Sequence, residues 1–467
     1  MRGHVIAAIS TPPGKGGVAV IRMSGAGSID IADRVFEPIS GKKICEYRPR
    51  TQIYGYIIYN NEKIDDGMLT LFPAPHSYTG EDVVEISCHG GILVTRTVLE
   101  ALFAQGAVPA EAGEFTQRAF INGKLSLSEA ESIGMLLEAG SHEQIRLSSA
   151  PARAKLNDSI DEIRKDITDV MSSIYARIDY PDEDLGEFTD EETVDRLSQI
   201  DKKLTRLMDT YRTGRAISEG ISTVICGKPN VGKSTLYNLL VGEDAAIVTD
   251  IAGTTRDILE KTVSVGRVML RITDTAGVRS CEGIDKVEKI GIERSKSKMA
   301  SSELIFALFD LSRPFDNSDE ELIEELSSCR GYKICILNKQ DIAEGEKTPF
   351  DATRLDSKLF NEVLSISADK NGENAIAALS EMINRLFTDE KISCGHDAIV
   401  SSARQHASLL RASDFIKTAI DAYSIGLPSD AASSDIEMAL GAISELDGRA
   451  VSESIVSDIF SKFCVGK

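Results

Sequence analysis

The segment Gly227–Ser234 reads GKPNVGKS, preceded by the β-branched run STVIC and followed by the helix-like TLYNLL. Its spacing fits G-x-x-x-x-G-K-[ST] in the strand-to-helix context that this pattern requires. Glycines let the main chain wrap around phosphates with its N–H groups inward, and a helix N-terminus adds partial positive charge. Asn230, Val231, Gly232, Lys233, Ser234 and Thr235 would line the phosphates. Lys233 would reach the β- and γ-phosphates, and Ser234 would offer its hydroxyl to Mg2+. Such a loop alone admits adenine or guanine nucleotides.

Four more short patterns follow in order. The stretch TDIAGTT supplies Thr249, Asp250, Ile251, Ala252, Gly253, Thr254 and Thr255, with Thr255 a second candidate Mg2+ ligand that senses the γ-phosphate. DTAG supplies Asp274, Thr275, Ala276 and Gly277. Asp274 at a strand end can hold the water shell of the metal, and Gly277 can offer its N–H to the γ-phosphate. NKQD supplies Asn338, Lys339 and Asp341 after the strand-like KICIL. The Asp341 carboxylate can accept from N1 and N2 of guanine, whereas adenine would leave it unpaired. Ser367 and Ala368 open the last pattern, with the Ala368 N–H directed to the guanine oxygen. Together these predict a Mg2+-dependent GTP-binding hydrolase.

Two departures narrow the chemistry. Ras-like GTPases orient the attacking water with a glutamine after DTAG, but Val278 stands there and no arginine is preset as a finger. Asn230, with oxygens from Thr249, Ile251 and Thr254, could hold a hard monovalent cation; alternatively, Asn230 merely shapes the loop, and the residues by themselves leave both readings open.

These residues need a frame. STVICG, VMLRITDT, LIFALFD, KICILN and LSIS alternate with helical stretches, predicting a parallel-sheet α/β domain of the Ras-like P-loop class over 218–387. Before it, Leu156, Ile160, Ile163, Ile167, Val170, Ile174 and Ile178 recur on one helical face, and Val194, Leu197, Ile200, Leu204, Leu207 and Tyr211 on another, with YPDED at 180–184 as the break. Such stripes read as the packed core of a helical bundle. The chain turns helical again after 387. The α/β domain is therefore expected as an insertion between two parts, 121–217 and 388–467, of one discontinuous helical domain, its two ends close in space. Residues 1–120 mix VIAAI, VAVIRMSG and the alternating EDVVEISCHGG with glycine turns, a pattern predicting a compact α+β domain.

Composition sets limits. With 467 residues, two to four domains are expected at roughly 100–200 residues each. The eight cysteines include no CxxC pair, which disfavours a zinc site or disulfide framework and fits reduced thiols in a cytoplasmic protein. The opening MRGHVIAAISTPPGKGG has too short an apolar run for a signal peptide, and no run of about 18 apolar residues suggests a membrane span. The net charge of −21 predicts poor RNA binding by the chain alone, unless cations cluster locally or a partner supplies them.

TPPGKGGVAVIRMSG, SYTGEDVVEISCHGG, GEFTQRAFINGKLSLSEAE, AAIVTDIAGTTRD, DTAGVR, VEKIGIERS and the terminal FCVGK, together with the P-loop, resemble the signatures of the MnmE (TrmE) family of tRNA-modifying GTPases, over the whole chain. The first and last of these set it apart from other GTPases. The resemblance implies a homodimer through an N-terminal tetrahydrofolate-binding domain and a heterotetramer with an FAD-binding partner, MnmG (GidA). It implies modification of C5 of the tRNA wobble uridine, as an aminomethyl or carboxymethylaminomethyl group, with a one-carbon unit from 5-formyl- or methylene-tetrahydrofolate. It also implies K+-stimulated hydrolysis, with the ion held by Asn230 and the 249–254 loop. Glu288 in VEKIG then matches the family's water-organising glutamate, with Lys289 a mild departure, and Arg22, Glu85, Lys124 and Lys467 match its folate contacts. Asp369 replaces a residue that is often basic. An alternative of another class is a GTP switch that binds ribosomal RNA during ribosome assembly. Such proteins usually append a basic module, and this chain is acidic.

The end of the chain, FSKFCVGK, has the outline of a prenylation box at Cys464, but Gly466 is not aliphatic, Lys467 is last, and no polybasic stretch precedes it. Val451, Ile455, Ile459, Phe460 and Phe463 predict instead a helix that carries the tail inward. Cys464 is then either a catalytic thiol, as suspected for the family's matching cysteine, or a packed one, and Lys467 would reach a site in the first domain.

Overall fold

The computed structural model describes residues 3–179, 189–242, 260–273, 297–343, 350–356, 358–368, 372–449 and 451–466. The YPDED break therefore lies outside the described residues. The chain divides into two compact units, residues 1–134 with 444–467, and residues 135–443. No helix among the described residues is long and apolar enough to cross a membrane.

The first unit is built on a seven-stranded sheet of β1 (Ile6–Ile9), β2 (Val18–Ser24), β3 (Phe36–Pro38), β4 (Gln52–Tyr59), β5 (Glu62–Phe72), β6 (Val83–His89) and β7 (Val108–Pro109), in the order β3-β4-β5-β6-β2-β1-β7. Period-two alternation sends Ile21, Met23, Val84 and Ile86 to one face, where α1 (Ser28–Val35) and α2 (Ile92–Ala104) cover them with Ile31, Val35, Val98 and Leu102. The intervening residues, Arg22 and Glu85, therefore face the other way, towards the smaller cluster of Ile6, Ala8, Phe115 and Tyr78. Phe115 comes from α3 (Glu114–Ile121), and α4 (Leu127–Glu138) follows. The terminal helix Glu453–Ser461 buries Phe460 against Leu127 and Ala130, with Phe463 packed beside them. Ile455, expected on the inner face, is 43% exposed.

In the second unit the expected helical stripes are present. Ala150–Asp179 buries Leu156, Ile160, Ile163, Ile167, Val170 and Ile174, while Ile178 is exposed at the helix end. Asp190–Asp209 buries Leu197, Ile200, Leu204 and Leu207, opened by a capping box of Thr189 and Glu192. Tyr211 begins a separate helix, Tyr211–Ser218.

The α/β part has β8 (Ile221–Gly227), β9 (Glu260–Val265), β10 (Val268–Thr273), β11 (Leu304–Asp310), β12 (Tyr332–Asn338) and β13 (Glu362–Ser365), in the order β13-β12-β11-β8-β10-β9. Five strands are parallel, as expected, but the edge strand β9 is antiparallel to β10. A tight turn at Gly266 joins them, so the sheet is mixed at that edge. The two ends of this part lie side by side: Thr213 Oγ1 accepts the Asp389 N–H at 2.9 Å, Thr210 Oγ1 accepts the Val400 N–H at 3.0 Å, and Ser218 Oγ donates to Ser401 O at 2.9 Å.

Candidate nucleotide and one-carbon sites

The P-loop leaves β8 at Gly227 and enters the helix Lys233–Val241 through Gly232. Gly232 has φ +102°, and a Cβ there would stand 2.1 Å from Asn338 Nδ2. That close approach is functional in form. Asn338 Nδ2 donates to Val231 O at 2.8 Å, and its Oδ1 accepts the Ala368 N–H at 3.2 Å. One buried amide thus ties the phosphate loop, the NKQD segment and the SA segment together. Lys233 Nζ donates to Gly227 O at 2.8 Å and Lys228 O at 2.5 Å, which holds the loop curled. Ser234 and Thr235 are exposed in the first turn of the helix. An exposed hydroxyl at that position suits Mg2+, an oxygen-seeking ion that also keeps waters and phosphate oxygens in its shell.

At the NKQD end, Ser367 Oγ donates to Asp341 Oδ1 at 2.7 Å and so orients the carboxylate. Lys339 stands at φ +65° and pairs with Asp310 Oδ2 at 2.7 Å. Burial pushes the Asp310 carboxyl up, but hydrogen bonds from Lys339 and Ser312 outweigh it and the pKa is lowered. Asp310 thus stays charged and holds Lys339 in place. Lys228, with a side chain only 8% exposed, pairs with Asp316 and, at 2.6 Å, with Asp319 Oδ2. Asp316 and Asp319 form the capping box of the helix Asn317–Ser327. Sequence reasoning missed these anchors; the signals available were a polar residue closing the apolar run LIFALFD and the D-x-x-D that follows. Cys226, beneath the loop, is pushed up to about 12 by burial and is held as an inert thiol.

Thr249, Asp250, Ile251, Ala252, Gly253, Thr254, Thr255, Asp274, Thr275, Ala276, Gly277, Glu288 and Lys467 lie outside the described residues. Asn230 is within them, exposed at φ +63°.

In the first unit, Arg22 and Glu85 are direct cross-strand partners. Arg22 Nε donates to Glu85 Oε1 at 2.8 Å, and its guanidinium carbon lies 5.7 Å from the ring centroids of both Tyr78 and Phe115. The tail meets this pair. Ser10 Oγ donates to Gly466 O at 3.1 Å, and Arg22 Nη1 reaches the same oxygen at 3.5 Å. Val465 bridges antiparallel to Ala112, and the Gly113 N–H donates to Cys464 O at 3.4 Å. Cys464 is exposed rather than packed. Lys124 is exposed just after α3 with its stem against Gly80, and among the described residues no contact joins it to Arg22 or Glu85.

Two family descriptions match nearly the whole chain: residues 5–124 match the GTP-binding protein TrmE N-terminus, and 127–464 the MnmE helical domain. A tRNA modification GTPase MnmE from Clostridioides difficile (strain 630) is 36% identical over 462 residues, covering 99% of each chain. Proteins of the same name from Thermotoga sp. (strain RQ2) and Thermotoga maritima are each 39% identical over 464 residues, again covering 99% of each chain. The solved structure of a point variant of Aquifex aeolicus Era, bound to GDP and AlF4−, is 22% identical over 42% of this chain and 66% of its own, with a TM-score of 0.26. At that score it adds nothing to the assignment.

Proposed function

This chain belongs to the MnmE (TrmE) family of tRNA modification GTPases, and we propose that its GTP hydrolysis serves modification at C5 of the wobble uridine with a one-carbon unit from a tetrahydrofolate held by the first unit. The GTP hydrolase activity and the tRNA modification role follow from that membership. The observation that carries the finer reading is the Arg22–Glu85 pair with the C-terminal carbonyl closed over it. A folate offers carboxylates to cations and a pterin donor edge to a carboxylate. Arg22 engages Glu85 Oε1 and leaves Oε2 without a partner among the described residues. A half-buried acceptor in that state fits such a donor edge. Lys124 and Lys467 are the further cations in this reading.

Roles in the nucleotide site follow the same premise. Lys233 binds the β- and γ-phosphates; Ser234 and Thr255 hold Mg2+, which neutralises developing phosphate charge when bound. Glu288 orients the attacking water, since Val278 cannot. Asn230 and the 249–254 loop hold K+, whose charge substitutes for an arginine finger. What supports the cation site is that the Asn230 side chain has no hydrogen bond among the described residues. With a net charge of −21, the FAD-binding partner supplies most of the tRNA surface.

Two measurements test this reading. Wobble-uridine nucleosides from cells lacking the protein are expected to lose the modification, with rescue by the wild-type gene and none by Lys233→Ala. Normal nucleosides together with ribosome-assembly defects would favour the rRNA switch instead. Replacing K+ by Na+ is expected to slow GTP hydrolysis at least about tenfold, as removal of one transition-state charge contact does. Equal rates in the two salts would return Asn230 to a loop-shaping role.

A further inference from the structure

The chain carries 73 acidic against 52 basic residues, so any surface that meets a polyanion must be local. The stretch from Arg34 to Arg50 runs against that balance. It holds Arg34, Lys42, Lys43, Arg48 and Arg50 against Glu37 and Glu46, and all five cations are exposed. Among the described residues, the carboxylates around it bond to backbone N–H groups of the loop or to Lys63, not to these five side chains. Asp33 Oδ1 accepts the Ile44 N–H at 2.9 Å, Glu46 Oε2 accepts the Lys43 N–H at 3.2 Å, and Glu37 pairs with Lys63 at 3.5 Å. The side chains of Arg34, Lys42, Lys43 and Arg48 have no ion pair or hydrogen bond among the described residues. Arg34 lies in the last turn of α1, where a helix C-terminus favours a cation. That accounts for one charge and not for those in the following loop.

The loop is also held in shape. Ile44 is fully buried beneath it, Tyr47 and Ser40 are bonded through their hydroxyls, and Thr51 Oγ1 donates to Arg48 O at 2.6 Å. Arg34, Lys42 and Lys43 line a cleft of about 310 Å3 together with Asp33, Glu37, Phe36 and Ile58. Cations that outnumber the neighbouring carboxylates five to three, on a braced loop, are preorganised for an anion. Their spread over a helix end, a turn and the segment after Ile44–Glu46 suits successive phosphates better than a single small ion.

We propose that this loop of the first unit contacts the phosphate backbone of the tRNA substrate. The proposal rests on the tRNA modification reading and adds where this acidic chain touches the RNA. Each phosphate contact lowers log K by about 0.7–0.9 per decade of salt, so four contacts give a slope near −3, or about sixtyfold between about 50 and 200 mM. Such a patch binds usefully at low salt and weakly at physiological salt, as expected where a partner supplies the rest.

The test is fluorescence anisotropy of labelled tRNA with the full chain, from about 25 to about 200 mM KCl. Wild type is expected to show a slope near −3, and Lys42→Glu/Lys43→Glu/Arg48→Glu to lose most of it with at least a tenfold drop in affinity at low salt. GTP hydrolysis should be unchanged, which also reports correct folding. Should the triple variant fold poorly, Lys42→Gln/Lys43→Gln is expected to lower the slope by about 1.5. Unchanged slope and affinity in the variants, or no binding by wild type at the lowest salt, would overturn the proposal. Failure of the underlying reading is seen separately, as unaltered tRNA nucleosides in cells lacking the protein.

Discussion

Asp341→Asn is expected to lower GTP affinity by at least about a thousandfold and to make xanthosine triphosphate the preferred nucleotide. Guanine presents two N–H donors on its N1 and N2 edge, and a carboxylate accepts both. An asparagine amide places an N–H against one of them, and a buried polar pair in conflict costs far more than a missing contact. Sites built to hydrogen-bond a group reject analogues lacking it by about 10^4–10^5, which sets the scale here. Xanthine carries an acceptor where guanine has its amino group, so it restores the match. The surroundings should tolerate the exchange: Ser367 Oγ donates to Asp341 Oδ1 at 2.7 Å, and an amide oxygen accepts the same bond. Lys339 on Asp310, and Asn338 on Val231 and Ala368, do not depend on the charge of residue 341. Nucleotide affinities by calorimetry check this directly. If the variant keeps its GTP preference, Asp341 does not read the base.

The candidate nucleotide site was legible because the chemistry expected of it is written in spacing. G-x-x-x-x-G-K-S fixes a loop geometry, and NKQD after KICIL fixes a strand end, so residues over 100 positions apart in sequence could be assigned to one site; the structure joins them through Asn338 and Val231 O. The strand β9 was less visible, although Val263 and Val265 alternate inward. It is an edge element of moderate hydrophobicity, and the single Gly266 between Val265 and Arg267 is a weak signal for the hairpin it makes with β10. Arg22 and Glu85 could be named from resemblance, but their pairing depends on register between β2 and β6, which single strands do not carry. The anchoring of Lys228 by Asp316 and Asp319 was hidden for the same reason, because its partners lie on a distant helix cap. The cationic loop around Lys42 was masked by arithmetic, since a net charge of −21 says nothing of where the carboxylates point.

Gly466→Ala is expected to undock the tail and weaken tetrahydrofolate binding by about tenfold to a hundredfold, while leaving GTP hydrolysis unchanged. Two independent effects act at this position. Its φ is +96°, a conformation costing a residue with a Cβ about 1–2 kcal/mol. A Cβ there would also stand 2.4 Å from Ile9 O at the end of β1, whose backbone is held by its pairing with β2. The carbonyl of Gly466 would lose its bonds from Ser10 and Arg22, each contributing about 1 kcal/mol. About 1.4 kcal/mol is tenfold in affinity, which gives the stated range. If Lys467 reaches the folate, as proposed, its position depends on this docking. Calorimetry with 5-formyltetrahydrofolate on wild type, Gly466→Ala and a chain ending at residue 463 separates the contributions. Equal loss in both variants would place the whole effect in docking. Unchanged affinity in both would remove the tail from the one-carbon site and leave Gly466 a purely structural clasp between the end of the chain and β1. Gly466 belongs to the first unit and the candidate nucleotide residues to the second, so a parallel loss of GTP hydrolysis would instead reveal coupling between the two chemistries.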